Sequence, residues 1–461
     1  MDATLLENLN STMTASLTGT VAETIGMTVS VAEFPAPVGA VVRIEREGDD
    51  SCDGEVVGFR DGHTLVYLQT PTTGVRRGQR VRMVRSNRSL QVGNGLLGRV
   101  LDAHGNFIDG RPRPLLTRRA RIDRLPPAAT DRPQIREPLA TGVHAIDAML
   151  TCGRGQRLGI FSGSGVGKSV LLGMMSRYTN ADVIVTGMVG ERGREVNEFI
   201  ERDLGPEGMA RSVVVVATSN ESALTRVQAA STATAIAEYF RDQGKQVLLL
   251  IDSVTRFAMA QREIGLAAGE PPATRGYPPS MFALLPRLVE RAGQTDKGSI
   301  TAFYTVLVEG DDENEPVADT MRGLLDGHVW LSRKLAGRGH YPAIDIMSSI
   351  SRVMKNITTP QHRAAALTIR QLLAAHSEHE DLLSIGAYRR GSNRAVDAAV
   401  DMRDAINGLL QQSIDGATPF VKVVEQLTAV AAQCQAKLTA PATPPLSTTA
   451  PAAAGAGMRV G

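Results

Sequence analysis

The sequence predicts an α/β chain in three parts: a small all-β N-terminal domain, a central parallel sheet covered on both faces, and a helical C-terminal domain. Three observations carry that prediction. Short β-branched runs alternate with Gly- and Asp-containing turns over residues 19–90. From about 151 to 350, continuous apolar runs alternate with helical stretches, as in strands buried on both faces. Residues 360–438 carry apolar positions at helical spacing.

Composition bounds the rest. The 461 residues predict about three domains. A chain that is 43% hydrophobic and 21% charged can bury a sizeable core. Its net charge of +2 excludes a globally basic nucleic-acid coat and a globally acidic tail protein. Cys52, Cys152 and Cys434 are odd in number and share no C-x-x-C spacing, which excludes a disulfide framework and a thiolate zinc site. Asp2 and Glu7 stand where a signal peptide would be positive, so no export signal is expected. The longest aliphatic runs, such as Val247–Ile251, fall far short of the roughly 20 residues of a membrane span. These features lead to the expectation of a soluble, cytoplasmic protein.

In order along the chain, Leu5, Leu9, Met13 and Leu17 place a four-residue stripe on a short helix over 1–18, which needs a partner surface or stays frayed. Residues 19–90 form the small barrel or sandwich. Residues 91–150 are a Gly- and Pro-rich connector into the parallel-sheet core, which extends to about 358. The helical domain covers 359–438, its last helix opened by Thr418 and Pro419 and striped by Phe420, Val424, Leu427, Ala431, Cys434 and Leu438. The Ala-, Pro-, Thr- and Gly-rich tail over 439–461 is expected to be disordered.

The sharpest local signal is the run from Ser162 to Ser169, between the strand Leu158–Phe161 and an apolar helix. Gly163, Gly165 and Gly167 let backbone N–H groups turn inward toward phosphate oxygens. The helix N-terminus adds partial positive charge. Lys168 can reach β- and γ-phosphates, and the Ser169 hydroxyl can ligate Mg²⁺. The nucleotide-binding stretch is thus Gly163, Ser164, Gly165, Val166, Gly167, Lys168, Ser169 and Val170. Ser162 stands where the strict motif has glycine. Asp252 ends the apolar strand Val247–Ile251 and can hold the metal through water. Glu191, after another apolar strand, is the candidate general base, with Arg192 beside it to sense the γ-phosphate. Taken alone, that charged stretch reads more often as a solvated turn. Arg352 is either a charge-neutralising arginine for a neighbouring subunit's nucleotide or a salt bridge at the sheet edge. Tyr341 either stacks on a base or packs in the core.

Thirteen arginines, no lysine and three acids lie between 76 and 124, with Phe107 the one aromatic. The missing aromatics exclude a stacking platform for single-stranded nucleic acid, and protein contacts are the better reading. The whole chain carries 7 Lys and 43 Arg, so arginine bias accounts for part of the run.

From about residue 20 to 435 the chain resembles the type III protein-export ATPases, and most of all their flagellar branch. The resemblance rests on Gly163–Gly173, Gly190–Glu195, Asp252–Ser280 and Leu382–Tyr388. It implies an N-terminal β-barrel, a P-loop (RecA-like) core similar to the rotary ATP synthase catalytic subunit, and a C-terminal helical domain. It places the phosphate lysine on Lys168, the metal hydroxyl on Ser169, the catalytic glutamate on Glu191, the metal-side aspartate on Asp252, the arginine finger on Arg352 and the adenine-side tyrosine on Tyr341. It implies ATP and Mg²⁺, a homo-oligomeric hexameric ring, and work at the cytoplasmic face of an export apparatus. The implied partners are a regulator on the N-terminal helix, a coiled-coil stalk protein, chaperone–substrate complexes and a membrane export gate, with no nucleic acid.

Four neighbouring readings separate on residues. Glu191 argues against a non-catalytic α-type subunit. A rotary β subunit usually differs in the segment after Asp252. Met259 and the pair Ala273–Thr274 resemble the flagellar rather than the injectisome branch. A hexameric RNA translocase is disfavoured by the aromatic-poor barrel region.

Overall fold

The structure is a computed structural model that describes residues 17–46, 51–308, 310, 312 and 314–439. The expected helix over 1–18 and the tail from 440 onward lie outside these residues. The described residues divide into two compact units, one within residues 17–359 and 410–424, the other within 360–409 and 425–439.

The first unit opens with six strands: β1 (Thr18–Ile25), β2 (Thr28–Ala32), β3 (Val41–Glu45), β4 (Ser51–Arg60), β5 (His63–Leu68) and β6 (Arg80–Arg85). They close into a barrel in the order β1-β2-β5-β4-β3-β6. Closure comes from the antiparallel pairing of β1 with β6, where Thr18 faces Arg82. That pairing resolves the choice between barrel and sandwich, which strand alternation alone left open. Alternation also decides what is inside. On β6, Val81 and Met83 point into the barrel core while Arg80 and Arg82 point out.

After β7 (Ser89–Val92), the connector supplies β8 (Arg99–Asp102) and β9 (Arg118–Arg121). The connector is not merely extended chain. β8 pairs in parallel with a core strand, Val213 opposite Arg99, and so becomes the edge of the central sheet. The short pair β10 (Pro138–Leu139) and β11 (Cys152–Gly153) leads to β12 (Arg157–Ser162), β13 (Val183–Glu191), β14 (Ser212–Thr218) and β15 (Gln246–Asp252). Then follow β16 (Gly293–Gln294), β17 (Ser299–Leu307), β18 (Gly327–Leu331) and β19 (Ile344–Ser351). The sheet order is β19-β18-β12-β17-β15-β13-β14-β8, with β16 alongside β17. From β18 to β8 every neighbouring pair is parallel. All nine residues of β13 are buried, as a strand covered on both faces requires.

Parallel strands end on the same side of the sheet. The carboxyl ends of β12, β13 and β15 therefore share one edge, where ligands of open α/β sheets bind. The helix Ala223–Asp242 packs on this sheet and carries Glu238, whose side chain is 1% exposed. Arg291 meets it with two parallel hydrogen bonds, Nε to Oε1 at 3.0 Å and Nη2 to Oε2 at 2.8 Å. The barrel is tied to the core by polar contacts as well. Tyr67 Oη donates to Glu263 Oε1 at 3.1 Å, and Gln228 Nε2 to Glu55 Oε2 at 2.8 Å.

The second unit is helical. Pro360–Glu378 and Arg394–Asp401 bury Ile369, Leu372, Val396 and Ala399. Asn393 caps the latter helix by accepting from Ala395 N and Val396 N. The last helix, Phe420–Thr439, starts directly after Pro419 and buries Val423, Leu427, Ala431 and Cys434, so Val423 rather than Val424 begins its inward stripe.

The buried pair yields a stability prediction. Arg291→Ala leaves the Glu238 carboxylate buried without its partner and is expected to cost about 3–5 kcal/mol in urea unfolding. The double variant Glu238→Leu/Arg291→Met is expected to recover most of that loss.

Candidate active site

The site is built where β12, β13 and β15 end. β12 delivers Ser162, which is fully buried with a hydroxyl that has no hydrogen-bond partner among the described residues. The chain then turns through Gly165 (φ 78°) and Gly167 (φ 97°). Both lie in the left-handed region that glycine adopts without steric cost. Gly167 caps the helix Lys168–Tyr178, whose first turn carries Lys168 and Ser169. A Cβ at Gly163 would lie 2.4 Å from Arg333 Nη2, so that guanidinium rests against the loop.

Lys168 is the centre of charge. Its Nζ lies 3.3 Å from Glu191 Oε1 and also hydrogen-bonds Asp252 Oδ1. The three side chains are nearly closed off from solvent, at 13%, 4% and 2% exposed respectively. Thr305 on β17 donates to the same Asp252 oxygen at 2.7 Å. Burial pushes the Lys168 ammonium down, but the Asp252 and Glu191 carboxylates outweigh it and hold its pKa above the ordinary value. For Glu191, burial dominates. Aided by the Asp252 charge, it lifts the carboxyl to about 7 against the pull of Lys168 and Arg256.

Glu191 reaches this position through a bulge. The β13–β14 register shifts between Val189 and Glu191, leaving Gly190 unpaired with φ 73°. A Cβ at Gly190 would lie 3.0 Å from Arg256 Cδ and 3.2 Å from Arg256 Cβ. Arg256 in turn pairs with Glu191, Nη2 to Oε2 at 3.3 Å, and donates to the Gly190 carbonyl. Sequence reasoning missed this arginine. It stands in the first turn of the helix Val254–Ala267, four residues after Asp252, a placement that does not by itself mark a site residue.

Lys168, Glu191 and Asp252 come together; Arg192 and Arg352 do not join them within the chain. Arg192 is exposed and pairs with Glu195 at 3.4 Å. Successive residues leaving a strand point to opposite sides, so the neighbour of a buried Glu191 faces solvent. Arg352 follows the edge strand β19 and donates to the Arg322 carbonyl at 3.3 Å. Tyr341 does come to the loop. It is 48% exposed, and a Cβ at Gly167 would lie 3.7 Å from its ring.

The oxygen donors near the loop suit a hard cation. Among the described residues no cluster of three or more His, Cys, Asp or Glu could form a metal cage. The Ser169 hydroxyl and the Asp252 carboxylate fit Mg²⁺, which binds through one or two protein oxygens and completes its shell with phosphate and water.

A glycine loop leading into a helix, a lysine on its first turn and two carboxylates from neighbouring parallel-strand ends define a P-loop nucleoside triphosphatase. The family model for the ATP synthase alpha/beta nucleotide-binding domain matches residues 142–351, and that for the T3SS EscN ATPase C-terminal domain matches 358–429. The flagellum-specific ATP synthase of Bacillus subtilis is 49% identical over 414 residues, covering 89% of this chain and 94% of the relative. The type 3 secretion system ATPase of Xanthomonas euvesicatoria is 47% identical over 431 residues, covering 93% and 98%. The solved structure of the assembled ATPase EscN from the enteropathogenic E. coli type III secretion system aligns with a TM-score of 0.85 at 43% identity, covering 90% of this chain and all of that one. The chain belongs to the family of flagellar and type III secretion ATPases, and it is an ATP-hydrolysing enzyme.

The bulge is testable. Gly190→Ala is expected to lower kcat at least about tenfold by displacing Glu191, while inorganic tripolyphosphate still binds the loop. Steady-state kinetics with tripolyphosphate as a competitive inhibitor checks both.

Proposed function

We propose that this chain hydrolyses Mg²⁺-ATP in a cytoplasmic homohexameric ring that energises flagellar protein export. The observation that carries the catalytic reading is Glu191, a buried carboxyl lifted to about 7 and set 3.3 Å from the phosphate-loop lysine. A group with that pKa can take a proton near neutral pH.

In this reading the loop backbone from Gly163 to Val170 and the Lys168 ammonium hold the β- and γ-phosphates. Ser169 and Asp252 hold the metal, which when bound neutralises phosphate charge and orients the triphosphate. Glu191 accepts a proton from the attacking water as its oxygen bonds the γ-phosphorus and the bond to the β–γ bridging oxygen breaks. Arg256 keeps the Glu191 carboxylate turned to the site. Arg192 would meet the γ-phosphate only by leaving Glu195, with which it pairs in this chain. Tyr341 stacks on the adenine. Arg352 neutralises transition-state charge from a neighbouring copy.

The ring and its stalk are carried over from relatives. EscN has been solved both as an assembled ATPase and in complex with its central stalk EscO, the latter aligning with a TM-score of 0.83. The reading adds a regulator at the N-terminal segment, chaperone–substrate complexes and an export gate at the membrane. It includes no nucleic acid. Among the described residues, no helix is long and apolar enough to cross a membrane.

An injectisome ATPase is the second reading. The SPI-2 type 3 secretion system ATPase of Salmonella typhimurium is 51% identical over 373 residues, as similar as the flagellar relatives. Met259, Ala273 and Thr274 favour the flagellar branch. Restored swimming in a strain lacking its flagellar ATPase would support it; restored secretion only in an injectisome mutant would reverse it.

Glu191→Gln is expected to keep ATP binding and lower kcat by about 10²- to 10⁴-fold. The sign of the pH dependence follows from the raised pKa. Below about 7 Glu191 holds its proton and cannot accept another, so kcat/KM rises with pH to a plateau above that value. The residual activity of Glu191→Gln should lack this step. Lys168→Ala and Arg352→Ala chains, each inactive alone, are expected to regain partial turnover when mixed, because some seams then carry both intact groups. No recovery in mixed rings would remove Arg352 from its role.

A further inference from the structure

We propose that Gln412 is a positioning residue for the nucleotide base, pinning the backbone of Tyr341 beside the phosphate loop. The inference rests on the reading of Tyr341 as the base-stacking residue.

Gln412 lies in the stretch where the chain returns from the helical unit to the first unit. Four hydrogen bonds hold it, all within that unit. Its backbone N–H donates to the Tyr341 carbonyl at 3.0 Å. Its Oε1 accepts from His144 N at 2.8 Å. Its Nε2 donates to the Gly142 carbonyl at 2.8 Å and to the Gly416 carbonyl at 2.6 Å. One carboxamide thus satisfies two segments far apart in sequence and leaves its own N–H for the third.

The surroundings are rigid. Gly142 has φ 76°, and a Cβ there would lie 2.2 Å from Tyr178 Cβ, so this turn is pressed against the helix that follows the loop. The buried Asp147 carboxylate ties the turn down further, accepting from Thr141 N at 2.9 Å and Gly142 N at 3.1 Å. Gln412 therefore fastens the Tyr341 backbone to a turn already locked to the loop's own helix. Tyr341 is half-exposed, with its ring beside the loop edge at Gly167. A fixed backbone lets an exposed ring stack on a base with little loss of freedom.

The role predicts a split between base and phosphate. In the full-length protein, Gln412→Ala is expected to raise KM for ATP about tenfold and to lower kcat no more than about twofold. Inhibition by inorganic tripolyphosphate, which has no base, should be unchanged. Gln412→Glu keeps the acceptor for His144 but loses both side-chain donors, and an intermediate KM is expected. With Tyr341→Ala already present, adding Gln412→Ala should change KM no further. Weakened tripolyphosphate inhibition in step with the ATP KM, or an unchanged KM, would overturn the proposal. If Gln412→Ala does not fold, Gln412→Glu decides by the same criteria. An unchanged ATP KM in Tyr341→Ala would remove the base reading itself. A raised KM there with a normal one in Gln412→Ala would leave the base reading standing and remove only Gln412.

Discussion

The site depends on one buried ammonium held between two carboxylates from different strands. Lys168 extends from the helix after β12, while Asp252 ends β15 and Glu191 ends β13. β17 lies between β12 and β15 in the sheet, so the acids start two and three strands away from the lysine's own strand. Neighbouring strands are about 4.8 Å apart, so these gaps exceed the reach of a lysine side chain alone; the loop after β12 carries Lys168 across the sheet edge, and it meets both acids only if the strands end at one level. Parallel pairing supplies that level. The Gly190 bulge then turns Glu191 toward Lys168. Burying these charges is tolerable because each has an opposite partner within about 3.3 Å, and Arg256 supplies the second positive charge.

That arrangement explains what could be read from the amino-acid order. The loop is local: glycine spacing, the preceding strand and the following helix all fall within a short window, so Gly163 to Ser169 were legible together. Asp252 and Glu191 were legible as strand ends, since a polar residue closing an apolar run marks the sheet's edge. Arg256 was not, because an arginine in a helical first turn looks the same whether it meets solvent or a carboxylate. Arg192 drew attention by adjacency to Glu191, yet adjacency along an extended backbone separates side chains. The bulge at Gly190 is a property of register against β14 and has no signature within β13 alone. For the same reason the pairing of β8 with β14 was hidden, since it joins segments more than a hundred residues apart.

The arginine-rich stretch has a structural account. Arg99 forms a two-pronged pair with Asp109, Nε and Nη2 at 2.6 and 2.7 Å. Arg88 reaches both Asp123 at 2.8 Å and Glu55 at 3.4 Å. Arg124 meets Asp242 on a core helix at 2.8 Å. A planar guanidinium can serve two partners at fixed angles, which lysine cannot. Part of the positive run therefore ties barrel, connector and core together. Arginines paired in this way have less to offer a phosphate backbone, in agreement with the stretch's shortage of aromatic rings.

The placement of Arg352 completes the argument for a ring. Within one copy the cations near the loop have assigned partners: Lys168 between two acids, Arg256 on Glu191. Phosphoryl transfer spreads charge over the γ-phosphate oxygens as the bond to the leaving group lengthens, and a further cation at that point contributes most. Arg352 is a candidate for that cation, yet its chain holds it beyond the antiparallel edge strand, against the Arg322 carbonyl. Under the proposed function, a neighbouring copy turns this edge toward the loop. Turnover would then require assembly, and an isolated chain would bind nucleotide without spending it.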